Sequence, residues 1–363
     1  MLDRLPPELL LPILRFAAPL TNGVDWSYID TEAYSGRRIT LMRVCLVNKR
    51  LCALAQPMLP EVFAARSEGA VDVLRSSRSG NILGHQVKLL HVNGGRYRGS
   101  PEKQEWVHAA VGLCPLVEEL HVVSCSRVDL NWLADYRRLK RLVVYGTFVT
   151  TSDILPLSSI TTLSLCYITM ADSSTLGLLT QAHFPSLRIL GIGDMAWFND
   201  DGKMNCDVAL EAGLAHQLDA WTTTDISRRS EYARSPSPEI CGAMALVTQL
   251  ERDFTDNPPD NLPFNLLHVV ADQDPSTDTF LLLGRNLCHF QSFKTLDLDN
   301  AFHPDHLAPD VAEAAEAFLC ECKRRDVRVV WLRPKLGSLV SPDFAEWARK
   351  ERERKADEAA NEA

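Results

Sequence analysis

One spacing recurs along this chain and restricts its fold more than any other feature. It is an apolar residue, two variable residues, a second apolar residue, one variable residue and a third apolar one. Clear copies are Val87-x-x-Leu90-x-Val92, Val117-x-x-Leu120-x-Val122, Leu139-x-x-Leu142-x-Val144, Ile160-x-x-Leu163-x-Leu165 and Leu187-x-x-Leu190-x-Ile192. Weaker ones follow at Leu218-x-x-Trp221-x-Thr223, Phe264-x-x-Leu267-x-Val269, Phe293-x-x-Leu296-x-Leu298 and Val327-x-x-Val330-x-Leu332. Residues two apart lie on one side of a strand, so each copy predicts a short strand with one apolar face. A fully buried Leu or Val contributes about 1.5–3 kcal/mol before conformational entropy is charged against it. A unit with three such residues gains that burial only when neighbours cover its flanks, so stacking is obligatory. The expected class is α/β: parallel strands in a curved sheet, return segments over the apolar rows, and the x positions on a common outer surface.

The middle apolar residues at 120, 142 and 163 are 22 and 21 residues apart, within the period of leucine-rich repeats of roughly 20–29 residues. The other intervals are longer, the largest being the 46 residues from Trp221 to Leu267. The pattern resembles a leucine-rich-repeat array with insertions, and the copy from Cys114 to Cys125 is similar to the cysteine-containing repeats that often follow an F-box. Ser67 to Arg75 predicts a short helix. Asp310-Val311-Ala312-Glu313 predicts a capping box for a helix over Val311 to Arg325, with a stripe of Val311, Ala315, Phe318, Leu319 and Cys322. Between about 225 and 263 the pattern lapses into Ser235-Pro236-Ser237-Pro238, a predicted helix near Cys241 to Phe254, and Asp256-Asn257-Pro258-Pro259-Asp260, which together read as an insertion.

The first sixty residues have a different character. Leu9, Ile13 and Phe16, flanked by Leu10, Leu14 and Ala17, give an apolar stripe too broad for one short helix to hide. Pro12 within it removes one backbone hydrogen bond and costs up to ~3 kcal/mol unless the helix begins late or kinks. After a polar loop, Thr40 is placed to cap a second short helix with Leu41, Val44 and Cys45, and Asn48 a third with Leu51, Leu54 and Ala55, ended by Pro57.

The segments Leu5-Pro6-x-Glu8-Leu9-Leu10-x-x-Ile13-Leu14 and Leu41-x-x-Val44-x-x-Val47-Asn48-Lys49-Arg50-Leu51 resemble the F-box family over about sixty residues. The resemblance implies a three-helix F-box at 1–63, docking a Skp1-type adaptor and through it a cullin. Leu5, Pro6, Leu9, Ile13, Leu41, Val44, Val47 and Leu51 would serve that docking or the packing behind it. The leucine-rich-repeat-like solenoid would follow at 64–335, and a charged C-terminal tail at 336–363, where no stripe continues past Trp347 and the last dozen residues are expected to fray. The implied role is that of the substrate-recognition subunit of an SCF-type ubiquitin ligase, without catalytic residues of its own. The alternative is a leucine-rich-repeat scaffold unconnected to the ligase, with its first helices acting as a cap.

The totals narrow the partners. With 38 basic and 47 acidic residues, the formal charge is −9, and there is no dense Lys/Arg patch, which disfavours nucleic acid. No apolar run approaches the roughly 18–20 residues of a membrane helix. Ten cysteines are scattered without an export signal and most of them read as reduced core residues, so the expected location is cytoplasmic or nuclear.

Motifs for chemistry are sparse. Gly191-x-Gly193 lacks a third glycine and reads as a tight turn. His303 and His306 read as loop histidines, Asp272, Asp274 and Asp278 as a solvated acidic turn, and Cys320 and Cys322 as pointing about 200° apart on a helix. No metal, cofactor or catalytic group is expected. The candidates for binding a target protein are the outward strand residues His91, His121, Tyr145, His268, Asp297 and Trp331, with Asn93, Glu119 and Arg141 beside them.

Overall fold

The computed structural model describes residues 5–18, 31–78, 81–94, 105–125, 128–146, 148–150, 155–166, 168–170, 179–193, 195–198, 204–205, 212–223, 240–247, 265–271, 273–287, 294–332, 340 and 342–362. Its centre is one sheet of eleven parallel strands, each hydrogen-bonded to the strand that follows it in sequence. They are β1 (Val62–Ala65), β2 (Leu89–Asn93), β3 (Glu119–Val123), β4 (Arg141–Tyr145), β5 (Thr162–Cys166), β6 (Ile189–Ile192), β7 (Ala220–Thr223), β8 (Ile240–Leu246), β9 (Leu266–Val270), β10 (Thr295–Leu298) and β11 (Arg328–Val330). Every recurrent spacing in the sequence falls on one of these strands, and the chain is an α/β protein of repeat-like build.

The register explains the spacing. Phe63, Leu90, Leu120, Leu142, Leu163, Leu190 and Trp221 are successive cross-strand partners, and the residues two further on form a parallel row on the same face. Both rows are buried in the main core. The strands also start alike: the carbonyl of Lys88 accepts the amides of Glu118 and Glu119, that of Lys140 those of Thr161 and Thr162, and that of Arg188 those of Asp219 and Ala220. The core is closed by α4 (Gly69–Arg75) and α5 (Glu105–Gly112) near its start, then by α6 (Ala212–Gln217), α7 (Thr277–Asn286) and α8 (Pro309–Arg324). Phe280 of α7 packs 6.0 Å, ring to ring, from both Phe302 and Phe318. A second ladder of short strands runs through Val128–Asp129, Phe148–Thr150, Ile168–Met170 and Met195–Phe198, all parallel, and ends on the antiparallel Met204–Asn205. Between the two sheets the chain turns sharply, and Gly146 takes φ +56°. Gly193 makes the equivalent turn so close to β5 that a Cβ there would collide with Cys166 Sγ.

Before the sheet come α1 (Pro7–Ala17), α2 (Thr31–Val47) and α3 (Lys49–Ala55). Asn48 caps α3 as expected, its side chain accepting the Leu51 amide at 2.8 Å. Pro12 sits inside α1 on an exposed position.

Several expectations are corrected. The second helix does not start at Thr40: α2 begins nine residues earlier, at Thr31. Its inner side there carries Arg37, buried in an ion pair, so apolar periodicity could not reveal that turn. The sheet starts with β1, inside the stretch assigned to the helical module. Ile240–Leu246 is a strand where a helix was expected, and it divides the 46-residue interval into two of ordinary length. The proline-rich stretches 235–238 and 256–260 lie outside the described residues. The capping box at Asp310 does not form, since α8 starts at Pro309 on an N-cap of Ala308 that makes no side-chain bond. It is α7 that carries a capping box, between Ser276 and Thr279. The last copy is out of frame by one residue: Val329 pairs with Leu296, so Val329 and Trp331 join the core and Val330 turns to the opposite face. A one-residue shift inverts every side chain of a strand. The final residues are helical, in α9 (Pro342–Glu362).

Two glycines test this packing in opposite directions. Gly193→Ala should destabilise the chain by about 1–3 kcal/mol through the clash with Cys166. Gly36→Ala, on an exposed turn of α2 with nothing within 4 Å of its Cβ position, should stabilise by about 0.5–1 kcal/mol. Urea unfolding midpoints of both variants against the parent check the pair.

Candidate interaction surfaces

The N-terminal helices form a small module with its own core. Leu14, Ala18, Leu41, Ala55 and Met58 pack together inside, and Leu10 and Leu51 are buried as well. The opposite side of α1 exposes Leu9 (54%), Ile13 (41%) and Phe16 (90%). On α2, Ile39, Met42, Leu46 and Val47 are also exposed. The broad stripe read in the sequence is therefore two stripes: Leu10 and Leu14 turn inward, and Leu9, Ile13 and Phe16 face out. Of the residues assigned to adaptor docking, Pro6, Leu9, Ile13 and Val47 are exposed, Leu5 and Val44 half-buried, and Leu41 and Leu51 core. The last two can act only through packing.

The module is fastened to the sheet by charge. Arg37 of α2, 5% exposed, donates to the Met58 carbonyl at 2.9 Å and to Glu61 Oε2 at 3.0 Å. Lys88, just before β2, reaches the other oxygen of Glu61 at 2.8 Å. Arg50 of α3 also donates to the Leu5 carbonyl at 2.7 Å. Below α2, a cleft of about 740 Å³ is lined by Met42, Leu59, Phe63, Val73 and Leu83, among others, and so continues the apolar side of α2 toward the sheet edge.

The second surface is the sheet face opposite the main core. His91, His121, His268 and Asp297 lie on it, as their strand positions predict, with Asn93, Glu119, Arg141 and the half-buried Tyr145. They are not exposed, as the sequence reading had them: His91, His121 and His268 are each 1% accessible and Asp297 0%. Trp331 is on the other side altogether, packed on the main core with its ring 4.9 Å from that of His303. The cover comes in part from the C-terminal segment. Val340, Phe344 and Ala348 are fully buried against Ile189, Ala220, Ile240, Met244, Leu266 and Val270, flanked by Leu332, Ala345 and Trp347.

Polar contacts guide that segment into place. Asp297 accepts from the Leu332 amide at 2.7 Å with one oxygen and contacts His268 Nδ1 at 2.6 Å with the other. The ring of Phe344 stands edge-on to His268, centroids 5.2 Å apart. Arg141 donates to the Val340 carbonyl, and its other terminal nitrogen lies 3.4 Å from Glu119. Further along α9, Glu351 pairs with Arg328 at 3.0 Å, and Arg352 pairs with Asp219, which Arg188 also grips at 2.8 Å. The apolar signal for this docking, Phe344, Trp347 and Ala348, was visible in the sequence, but nothing there paired it with the sheet.

The buried groups have shifted proton affinities. Burial, then the nearby His121 and Arg66, hold His91 well below its ordinary value. Burial also lowers His121, against the opposing pull of Glu119 at 2.6 Å. Burial pushes Glu119 up, but Arg141 and His121 outweigh it and keep the carboxyl below its usual range. Burial raises Asp297 against its bonds to His268 and Leu332. Burial pushes the thiols of Cys114, Cys125 and Cys322 up to about 12, which leaves them protonated and unreactive. Among the described residues no cluster of His, Cys, Asp and Glu could hold a metal ion, and no helix is long and apolar enough to cross a membrane. His303 and His306 stand 5.8 Å apart, ring to ring, and the Asp305 carboxylate lies 3.5 Å from His303 Nδ1. Asp272 lies outside the described residues.

No protein-family model and no curated protein matches this chain.

The histidines give a pH dependence of definite sign. His91 binds its proton more weakly folded than unfolded, so the stability linked to it is full above about pH 6.5 and falls as pH drops below that value toward the folded one. The urea midpoint should decrease from pH 7 to pH 5, and His91→Gln should show a shallower decrease. Parallel curves for the two proteins would mean that His91 is not the titrating group.

Proposed function

We propose that this chain is a substrate-receptor subunit of a cullin-type ubiquitin ligase. In this reading the three N-terminal helices are an F-box that docks a Skp1-type adaptor, and the parallel sheet with its return segments is a leucine-rich-repeat solenoid that holds a target protein. The observation that carries it is the exposed apolar side of α1 and α2, with Leu9, Ile13, Phe16, Met42, Leu46 and Val47 in water while the module's own core is closed. Large apolar side chains grouped in water on the outer sides of a folded module's helices mark a protein-binding site. The motif around it, Leu5 to Leu14 and Leu41 to Leu51, is the part of the sequence that resembles the F-box.

The chain contributes proximity and not chemistry: the ligase's other subunits transfer ubiquitin, and the rigid link from Arg37 through Glu61 to Lys88 fixes the distance between adaptor and target. That same link supports the rival, a repeat scaffold capped by its first helices, because a cap is also bound tightly to the first strand.

Pull-down of the full-length chain with a Skp1-type adaptor separates the two. Micromolar or tighter binding is expected, reduced at least ~100-fold by Leu9→Asp with Ile13→Asp, as for paired central anchors of an interface. Both side chains are exposed, so the urea transition of the double variant should match the parent. Absence of binding by folded wild type leaves the capped scaffold.

A further inference from the structure

We propose that α9 is an internal, displaceable occupant of a helix-binding face. The partner this face takes is an amphipathic helix of another protein with a bulky aromatic, a small and a basic residue at i, i+4 and i+8. That is the spacing of Phe344, Ala348 and Arg352. The identity of the partner as a ligase target rests on the reading above; the displacement of α9 does not.

The contacts define the pattern. Phe344 and Ala348 occupy the apolar floor, and Arg352, one turn further along the same side, reaches Asp219. Past Ala348 the helix adds nothing to the apolar cluster and is held by ion pairs of half-exposed arginines, which salt screens. The floor is also unlike the main core. The sheet face it belongs to also carries His268, Asp297, Thr222 and Ser164, all buried, whereas the other face of the same strands is lined mainly by aliphatic side chains.

The fit of α9 is incomplete. Among the described residues, His268 Nε2 and Ser164 Oγ on this face, and Trp347 Nε1 on α9, are buried without a hydrogen-bond partner. Buried polar groups in permanent interfaces are satisfied, and leaving them bare is costly. With Nδ1 engaged by Asp297, Nε2 is the ring nitrogen of His268 left without a partner among the described residues. A partner helix that places a hydroxyl or amide donor there satisfies a group that α9 does not, which lets it compete with a segment tethered in place.

The test uses the full-length chain and a fluorescent peptide of residues 340–362 as probe. In wild type the tethered α9 excludes the probe. Phe344→Asp in the protein should free the face and tighten probe binding by about tenfold or more. Arg352→Glu, outside the apolar floor, should give a smaller gain of about two- to fivefold. The gain should vanish for a probe carrying its own Phe344→Asp. An unrelated polar helix grafted with Phe, Ala and Arg at i, i+4 and i+8 should displace the probe, and one with scrambled spacing should not. Equal probe binding by wild type and folded Phe344→Asp overturns the proposal. If that variant does not fold, the same result with Arg352→Glu does so.

Adaptor binding is measured on every form. Adaptor binding without probe discrimination defeats the internal occupant and leaves the ligase reading intact. Probe discrimination without adaptor binding does the reverse.

Discussion

One-sided burial is the constraint from which this structure follows. Each strand puts only two or three apolar side chains into the core, too few to fold a unit alone, so each must be flanked by the next. The strands are therefore sequential, parallel neighbours, with Leu90, Leu120, Leu142, Leu163 and Leu190 in one continuous row. An array built this way has two ends and two faces, and all four need a solution. Helices α4 to α8 close the inner face. At the first end, β1 is attached to the helical module through the buried Glu61, shared by Arg37 and Lys88. At the last end, the one-residue frame shift turns Trp331 inward onto the core. The second face is served by α9.

The inner face was legible because its signal is local. A spacing of three and two between large aliphatic residues marks a strand without knowledge of its neighbours, and each copy so marked proved to be one. The strand β8 escaped because Cys241-Gly242-Ala243-Met244-Ala245-Leu246 has small residues where the other copies have leucine, and alanines favour a helix. A strand buried on both faces reads as a continuous apolar run, which periodicity cannot separate from a helix. The early turns of α2 escaped for the opposite reason: they dock through Arg37, a charge that looks like a solvent residue until Glu61 is placed opposite it.

The second face was half legible. Alternation placed His91, His121, His268 and Asp297 correctly on it, since that is a property of the strand alone. The cover over His268 comes from Phe344, on a helix that starts 45 residues beyond Asp297, and no local pattern encodes such a pairing. Polar residues on a strand usually signal water. Here they meet one another: Asp297 holds His268 and the Leu332 amide, and Glu119 holds His121 and Arg141. A buried carboxylate is tolerable only with such partners. Position was thus decided by sequence-local rules, and environment by tertiary contact.

The two surfaces also differ in how firmly they are tied to the array, and this bears on how binding at one could be felt at the other. Glu61 is engaged on both oxygens and buried between α2 and the start of β2, so α2 is held to the sheet by a paired charge. The segment leading to α9 is anchored by Asp297 and Arg141, but the helix itself rests on Phe344 and Ala348 and, beyond them, on ion pairs open to solvent. A loss of those ion pairs weakens the hold on the helix while the Arg141 bond to the Val340 carbonyl remains at its base. In the displacement proposed above the helix leaves the face while β11 stays paired with β10.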